Sequence, residues 1–557
     1  MTLLHPTSAR EVGVLAVCTG VAGYLFLKRY EPKKLPAFRI TIVAFLVFPG
    51  AFSAVLSSTG LFSSSIRAIL FAHGVYYAEL VLLTLGYRIS PFHPLASYPG
   101  PFFARLSKGQ MLRYLSTGKQ QHIIHKLHER YGDVVRIGPN EVSIRHADAV
   151  IPVLGLPKGP FWDNRSDPPS LIATRDMATH TAKRRRWNRA FSSNSLKEYE
   201  ETIREHGMEF IEALSTKATE DIDLNAWMSF FTFDFMGELC FGRSFSMVKD
   251  GQDKYGLLHL IEDTVAFETV AAYIPWAVPM FHKLPMAAES EDKLVAFGVN
   301  NVQYRMQNVS GKRDLFHYLI DEDGLEAEKP STGTVISDAL VSIIAGSDTT
   351  ATGLIAIYYY LLKHPEAMNR LRQEIDKEFP FGEEPVDFTK LAHMSWLNAC
   401  INEALRLIPP LPGGAQKYVL PRTGGKMAGP YFVPENTAVT IHPFSLHRDP
   451  RYFSPMPDMF WPDRWVAAAE RHYPPGASEK DFVLNQAAYI PFSGGAASCA
   501  GKSLAIMELR AVIALLVRHF DVTPAKKEEF AGWENTLEDW FTLKRGPLHV
   551  GMTPRKL

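Results

Sequence analysis

Cysteine is scarce in this chain. Its 557 residues include only Cys18, Cys240, Cys400 and Cys499. They lie far apart and form no Cys-x-x-Cys pair, which argues against a disulfide framework and a zinc finger and places the bulk of the chain in a reducing compartment. Net charge is lacking too, because 59 basic and 59 acidic side chains balance. A general nucleic-acid binder would carry a basic excess, so no nucleic acid is expected as partner. No glycine-rich nicotinamide or flavin fingerprint follows a strand pattern. Internal repeats and low-complexity tracts are missing as well.

Long apolar runs are present, and they crowd the amino-terminal end. VGVLAVCTGVAGYLFL (12–27), ITIVAFLVFPGAFSAVL (40–56) and AILFAHGVYYAELVLLTLGY (68–87) precede residue 90. A bilayer-spanning helix takes about 20 residues. The third run meets that length, the second is adequate and the first slightly short. A cleaved signal peptide competes for the first run. The basic cluster Lys28, Arg29, Lys33, Lys34 and Arg39 behind it weakens that alternative. Basic residues mark the cytosolic side of a membrane, and the next connection, 57–66, carries no charge. The expected topology puts the amino terminus outside and the main domain in the cytosol. A buried helical hairpin of the main domain is the plainer alternative.

The expected division is a membrane anchor over 1–90 and a catalytic domain over 91–557. HPLASYPGP (93–101) is a stiff, non-helical connector between them. YGDVVRIGPNEVSI (131–144) alternates and is rich in Val and Ile, so it predicts a hairpin of short strands. Helical patterns dominate 180–410, proline-rich irregular segments fill 408–495, and a last helix is expected near 500–518. The fold class is mainly α with minor β.

Cys499 sits in PFSGGAASCAG (491–501), just ahead of a helix that is apolar nearly all round. A helix start gathers partial positive charge and free N–H groups, which favour a thiolate. One thiolate with no neighbouring His, Cys or carboxylate makes a poor zinc site but suffices as the protein ligand of haem iron. Taken alone, a lone cysteine in a glycine-rich loop is more often structural. A nucleophilic cysteine is a second alternative, although the papain-like local pattern is absent. Further along the same lines, the apolar stretch 334–363 predicts one long buried helix of about 45 Å. It carries Asp348 and Thr349, and a carboxylate there needs a task or a partner. Thr349 has a plain alternative, a bond back to the carbonyl four residues earlier. Glu403 and Arg406 share a helix face at i, i+3, a spacing usual for surface ion pairs. The run THTAKRRRWNRAF (179–191) reads by itself as a solvated basic face.

These segments together resemble the cytochrome P-450 family over roughly 93–550, with five motifs in order. The cysteine loop resembles Phe-x-x-Gly-x-Arg-x-Cys-x-Gly: Phe492, Gly495, Cys499 and Gly501 match, and Ala497 stands where the family's propionate-binding arginine would be. AGSDTT (345–350) resembles the oxygen-activating motif, in which Thr349 holds distal water, Asp348 relays protons, and Ala345 and Gly346 leave room above the haem. Glu403, Arg406 and Arg464 resemble the family's buried triad, with Asp463 in the usual glutamate position. His180 and Arg184 resemble the propionate-binding helix, and Lys417 stands for another propionate-binding cation. Arg185 and Arg189 are left to face an electron donor. LHRDPRYFSP (446–455) is similar to the family's meander and fails the kinase catalytic-loop pattern at Pro450 and Ser454.

What the resemblance implies is a cytochrome P-450 fold binding haem b, with Cys499 as axial ligand of the iron. It implies a microsomal monooxygenase that inserts one atom of dioxygen into an apolar small molecule. Electrons would come from an NADPH-cytochrome reductase, with cytochrome b5 as a second donor, at the cytosolic face of the endoplasmic reticulum membrane. The triple anchor and motif details look most like fungal members of natural-product pathways, which suggests a terpenoid or polyketide substrate. Pocket walls are expected around 165–175 and 225–285. The sequons at Asn164 and Asn308 are expected to stay unused. Three alternatives stand beside this reading: a haem-thiolate isomerase or dehydratase, a non-enzymatic haem- or steroid-binding membrane protein, and a cysteine hydrolase.

Overall fold

Residues 131–144 form a hairpin. Val134–Gly138 and Glu141–Ile144 pair antiparallel, with Val134 opposite Ile144 and Gly138 opposite Glu141. The computed structural model describes residues 8–29, 40, 42–163, 165–218, 220–274, 285–308, 311–326 and 328–555. Lys33, Lys34 and Arg39 of the basic cluster, Asn164 of the first sequon, and 275–284 of the second expected pocket wall lie outside them. Thr437–Ile441 adds parallel to Glu141–Ile144, and Lys417–Val419 pairs antiparallel on its far side. Every residue of the inner strands is buried, as expected of a strand covered on both faces. A three-stranded sheet joins Phe520–Pro524, His549–Pro554 and Asp221–Asp223.

Helices make up most of the rest. The central one runs Thr332–Lys363, and the Ser331 hydroxyl caps it by accepting the Thr334 N–H. Pro365 follows its end, where a proline cannot continue the ladder. Its apolar side chains face the helices Leu224–Phe241, Ser395–Leu407 and Lys502–His519, which pack around it. Length and composition alone would let this helix cross a bilayer, but 61% of its most apolar window is buried inside the protein. It is the middle of the core. From 408 to 495 the chain holds only short strands and single helical turns.

Ahead of this body stand the helices Ala9–Arg29, Phe48–Ser58 and Ser65–Ile89. They pack together through Val12, Ala16, Phe52, Leu56, Ala68 and Ala72. Apolar side chains such as Leu70 and Leu82 point outward, each 68% exposed. Arg10–Lys28 and Ser65–Ile89 are long and apolar enough to cross a membrane. The middle element joins five π-helical residues, Val43–Val47, to eleven α-helical ones. At ~1.5 Å per residue that is about 24 Å, short of the ~30 Å hydrocarbon core. Pro49 has no N–H for the Phe45 carbonyl four residues back. The Tyr77 hydroxyl donates to that carbonyl at 2.7 Å, and Tyr76 donates to Ala44 at 2.6 Å. Backbone polar groups in lipid must find such internal partners.

The connector 93–101 is docked rather than free. Buried Arg136 donates to the carbonyls of Arg88, Leu95 and Pro139 at 3.1, 3.3 and 2.8 Å. A side chain on Gly100 would meet the Arg136 carbonyl oxygen at 2.3 Å, so only glycine fits there.

Candidate active site

The cysteine loop is a tight turn closed on itself. Gly495 adopts φ 69°, which glycine takes without strain. The Ser498 N–H donates to the Gly495 carbonyl at 3.1 Å, and the Cys499 N–H donates to the Phe492 carbonyl at 3.0 Å. Phe492 packs on the main core, with the Lys502 ammonium 5.8 Å from its ring centre. Gly501 is the N-cap of the helix Lys502–His519. Burial pushes the Cys499 thiol up; the Gly501 N–H, Arg184 and Lys502 oppose that rise. Its side chain is nonetheless open to solvent. The sulfur is thus accessible and yet surrounded by protein.

The central helix shows the same contrast. Ala345 is exposed although Ser342, Ile343, Ser347 and Thr350 around it are buried. Thr349 Oγ1 donates to the Ala345 carbonyl at 2.7 Å, the local back-bond that helical threonine favours. Asp348 is not a free carboxylate. Arg545 Nη1 donates to its Oδ1 and to its carbonyl, both at 2.9 Å, and also bonds Thr352 Oγ1. The same guanidinium reaches Asn225 at 2.9 Å through Nε. Gly346 plays a different part from the one expected. A side chain there would meet Met236 at 2.6 Å, so its smallness admits the neighbouring helix Leu224–Phe241, and Ala345 is the exposed residue beside it.

A cluster of cations borders the cysteine loop. Arg184 Nη1 donates to the Ser498 carbonyl at 2.6 Å, and its Nε donates to Asn188 at 2.8 Å. His180, one turn earlier, is buried. Lys417 is buried in its strand, and an isolated antiparallel bridge sets Lys158 opposite it. Lys158 Nζ donates to the Leu171 carbonyl at 2.7 Å. Burial and then Lys417 and Arg184 push Lys158 down to about 7. Burial pushes Lys417 down to about 8. His180 falls to about 4 through burial, Lys158, Arg184 and Lys417. Asp338 offsets the fall at Lys158 only in part.

Glu403, Arg406 and Arg464 come together with no solvent exposure at all. Glu403 Oε1 accepts from Arg406 at 2.9 Å, Arg464 at 3.0 Å and the Trp461 N–H at 2.9 Å. Its Oε2 accepts from Arg406 at 2.9 Å, Arg464 at 3.1 Å and the Trp465 indole at 2.9 Å. The carboxyl drops to about 2, because the two guanidiniums outweigh a desolvation that acts the other way. Arg406 also donates to the His447 carbonyl at 2.6 Å, and His447 Nε2 accepts the Ile490 N–H at 2.9 Å. A continuous chain of bonds thus links the Glu403 helix to the residue before Pro491, where the cysteine loop begins. His447 comes from the segment that superficially matched a kinase loop, and its work is structural.

Residues 99–549 match the family model described as Cytochrome P-450. The chain belongs to the cytochrome P-450 family. It is similar to a cytochrome P-450 monooxygenase, FCK2, of Fusarium pseudograminearum, at 32% identity over 86% of this chain and 85% of that protein. It is also similar to the monooxygenase nodW of Hypoxylon pulicicidum, at 31% identity over 89% of each chain. Tryprostatin B 6-hydroxylase of Aspergillus fumigatus is 30% identical over 86% of this chain and 84% of its own. The P-450 chain is therefore a haem-thiolate monooxygenase that uses haem b, a redox partner and a small-molecule substrate.

The residues present fit that cofactor. Cys499 offers an accessible sulfur, and no other grouping of His, Cys, Asp or Glu could hold a metal ion among the described residues. Lys158, His180, Arg184 and Lys417 offer N–H donors and positive charge that suit two propionate carboxylates. Lys158 and Arg545 escaped sequence reasoning. Neither lies in a motif, and each meets its partners only through strand pairing or the return of the carboxy-terminal hairpin. Arg189 is paired with Glu326 at 2.7 Å and Asp321 at 3.4 Å. Arg185 stays largely exposed.

Proposed function

We propose that this P-450 is a membrane-anchored monooxygenase of fungal natural-product metabolism that hydroxylates a largely apolar small molecule. Residues 1–90 form the anchor and 91–557 the catalytic domain, placed on the cytosolic face of the endoplasmic reticulum. The outward apolar faces of the amino-terminal helices support that placement. Relatives whose names are monooxygenase and hydroxylase support the reaction. Electrons arrive from an NADPH-cytochrome reductase, and exposed Arg185 offers that partner a cation.

When bound, haem supplies oxygen activation. Cys499 would supply the thiolate that holds the iron; the Gly501 N–H and Arg184 partly offset the burial that favours the thiol. Arg184, His180, Lys158 and Lys417 would receive the propionates, in place of the arginine that Ala497 lacks. Thr349 turns its hydroxyl from the Ala345 carbonyl and holds a water. Asp348, paired with Arg545, relays a proton when that pairing loosens. Glu403, Arg406 and Arg464 hold the meander against the cysteine loop.

One observation carries the reading: an accessible thiol in a glycine-rich turn that Arg184 holds, with the buried lysines Lys158 and Lys417 beyond it. The test is the reduced, carbon-monoxide-bound difference spectrum of the purified protein. Wild type should show the red-shifted Soret band of thiolate-ligated haem, and Cys499→Ala should lose it. A wild-type protein that binds no haem would sink the proposal.

A further inference from the structure

A second cavity lies away from the cysteine loop, between the four-stranded sheet and the carboxy-terminal hairpin Glu538–Lys544. Its volume is about 60 Å³. That is room for a few waters or one polar group, not for a whole natural product. Glu141, Tyr273, Gln416, His442, Asp539 and Phe541 are in its wall. Most of the polar atoms there are already matched. Glu141 accepts from Gln416 and lies 3.2 Å from the Lys108 ammonium. Tyr273 accepts from Gln120 at 2.6 Å.

Besides Glu141 Oε2, which has the Lys108 ammonium beside it and no hydrogen bond, two atoms are not matched. Asp539 Oδ1 accepts the Phe541 N–H at 3.2 Å, but Oδ2 has no hydrogen-bond partner among the described residues. His442 Nδ1 lies 2.7 Å from the Ser445 hydroxyl and accepts the Ser445 N–H at 3.3 Å. Its proton therefore sits on Nε2, which also lacks a partner among the described residues. Both side chains are at least 97% buried. A buried polar atom without a partner costs about 1–3 kcal/mol, so such atoms invite a ligand. One acceptor and one N–H donor remain in a single small cavity.

The cavity also touches the reaction site through the chain. Gln416 precedes Lys417 of the cation cluster. Asp539 and Phe541 belong to the hairpin that runs on to Arg545, the partner of Asp348. Phe541 packs against Phe161 and Trp162, both at 5.4 Å between ring centres, giving the cavity a flat aromatic side.

We infer that this cavity is a recognition subsite for a secondary amide of the substrate, whose N–H donates to Asp539 and whose carbonyl accepts from His442. The inference rests on the monooxygenase reading and narrows it: the substrate is an apolar molecule that carries a peptide-like or lactam amide. A bare hydrocarbon would leave both buried atoms unmatched.

The test uses the full-length, haem-loaded protein in detergent micelles at pH 8, where Asp539 is an acceptor, and δ-valerolactam as probe, with ligand-observed NMR as readout. Cyclohexanone has the same ring and the carbonyl but no N–H, and methylguanidinium is the cationic comparison. Wild type should bind the lactam about tenfold more tightly than cyclohexanone, the scale of one well-made hydrogen bond. Asp539→Leu should erase that preference, and Asp539→Asn, which keeps an acceptor oxygen, should retain it. Equal binding of lactam and ketone by wild type would overturn the inference, and needs no variant. Preference for methylguanidinium would overturn the amide assignment as well. The carbon-monoxide spectrum, recorded on the same samples, separates the two claims. A normal thiolate spectrum with no lactam preference removes the subsite alone.

Discussion

Replacing Glu403 with glutamine removes one charge from a site that water cannot reach. The amide also turns an NH₂ toward donors, where the carboxylate received six hydrogen bonds from Arg406, Arg464, Trp461 and Trp465. Two buried guanidiniums would be left without a counter-charge, and breaking such a pairing costs about 3–5 kcal/mol. The carboxyl's own displacement gives the same scale. A fall from 4.5 to about 2 corresponds to about 3 kcal/mol at neutral pH. For a unit of roughly 450 residues, the unfolding entropy is about 0.9 kcal/mol per kelvin, so Tm should fall by about 3–5 °C. The pH dependence has a definite sign. The folded carboxyl lies below its ordinary value, so its contribution is complete above about pH 4.5 and fades as pH falls toward 2. Loss of the Soret band on heating, recorded at pH 7 and again at pH 4, reports both effects. Identical Tm values for wild type and variant at pH 7, with haem retained, would refute the reasoning.

Three further outcomes are expected. Lys158→Met combined with Lys417→Met should speed haem transfer to an excess of apomyoglobin, whereas Arg185→Met should leave that rate unchanged; equal rates in all three proteins would remove the lysines from the propionate site. Thr349→Ala should keep its haem and divert electrons from NADPH into hydrogen peroxide, measured by peroxidase-coupled assay, and full coupling in that variant would count against Thr349. Asp539 is pushed up to about 7 by burial, so the unfolded chain releases its proton first and wild-type stability should decline from about pH 4 to pH 7. Asp539→Asn should flatten that decline and melt a few degrees higher than wild type at pH 8, with the two curves meeting near pH 4.

Local pattern carried much of this protein. The central helix was visible over 334–363 because its apolar run continues for eight turns, and its observed span is Thr332–Lys363. The 131–144 hairpin was visible in its Val and Ile alternation. Glu403 and Arg406 could be placed on one face from spacing alone. Arg464, 61 residues beyond Glu403 by number, could be joined to them only by family resemblance. Lys158 is a lysine in a proline-flanked loop until a strand places it opposite Lys417. Arg545 follows an unremarkable hairpin, and nothing near Asp348 announces its partner. A glycine in a buried helix serves close packing and an open cavity equally well, and only the position of Met236 shows that Gly346 serves packing against the neighbouring helix.

The bridge between Lys158 and Lys417 also bears on how the protein takes up its cofactor. Two lysines set opposite each other, with burial pressing on both, are held below the usual lysine range. On the proposed reading haem brings carboxylates to them, and a lysine that gains an anion regains its proton. Loading of the cofactor should then take up protons and be tighter below neutral pH than above it.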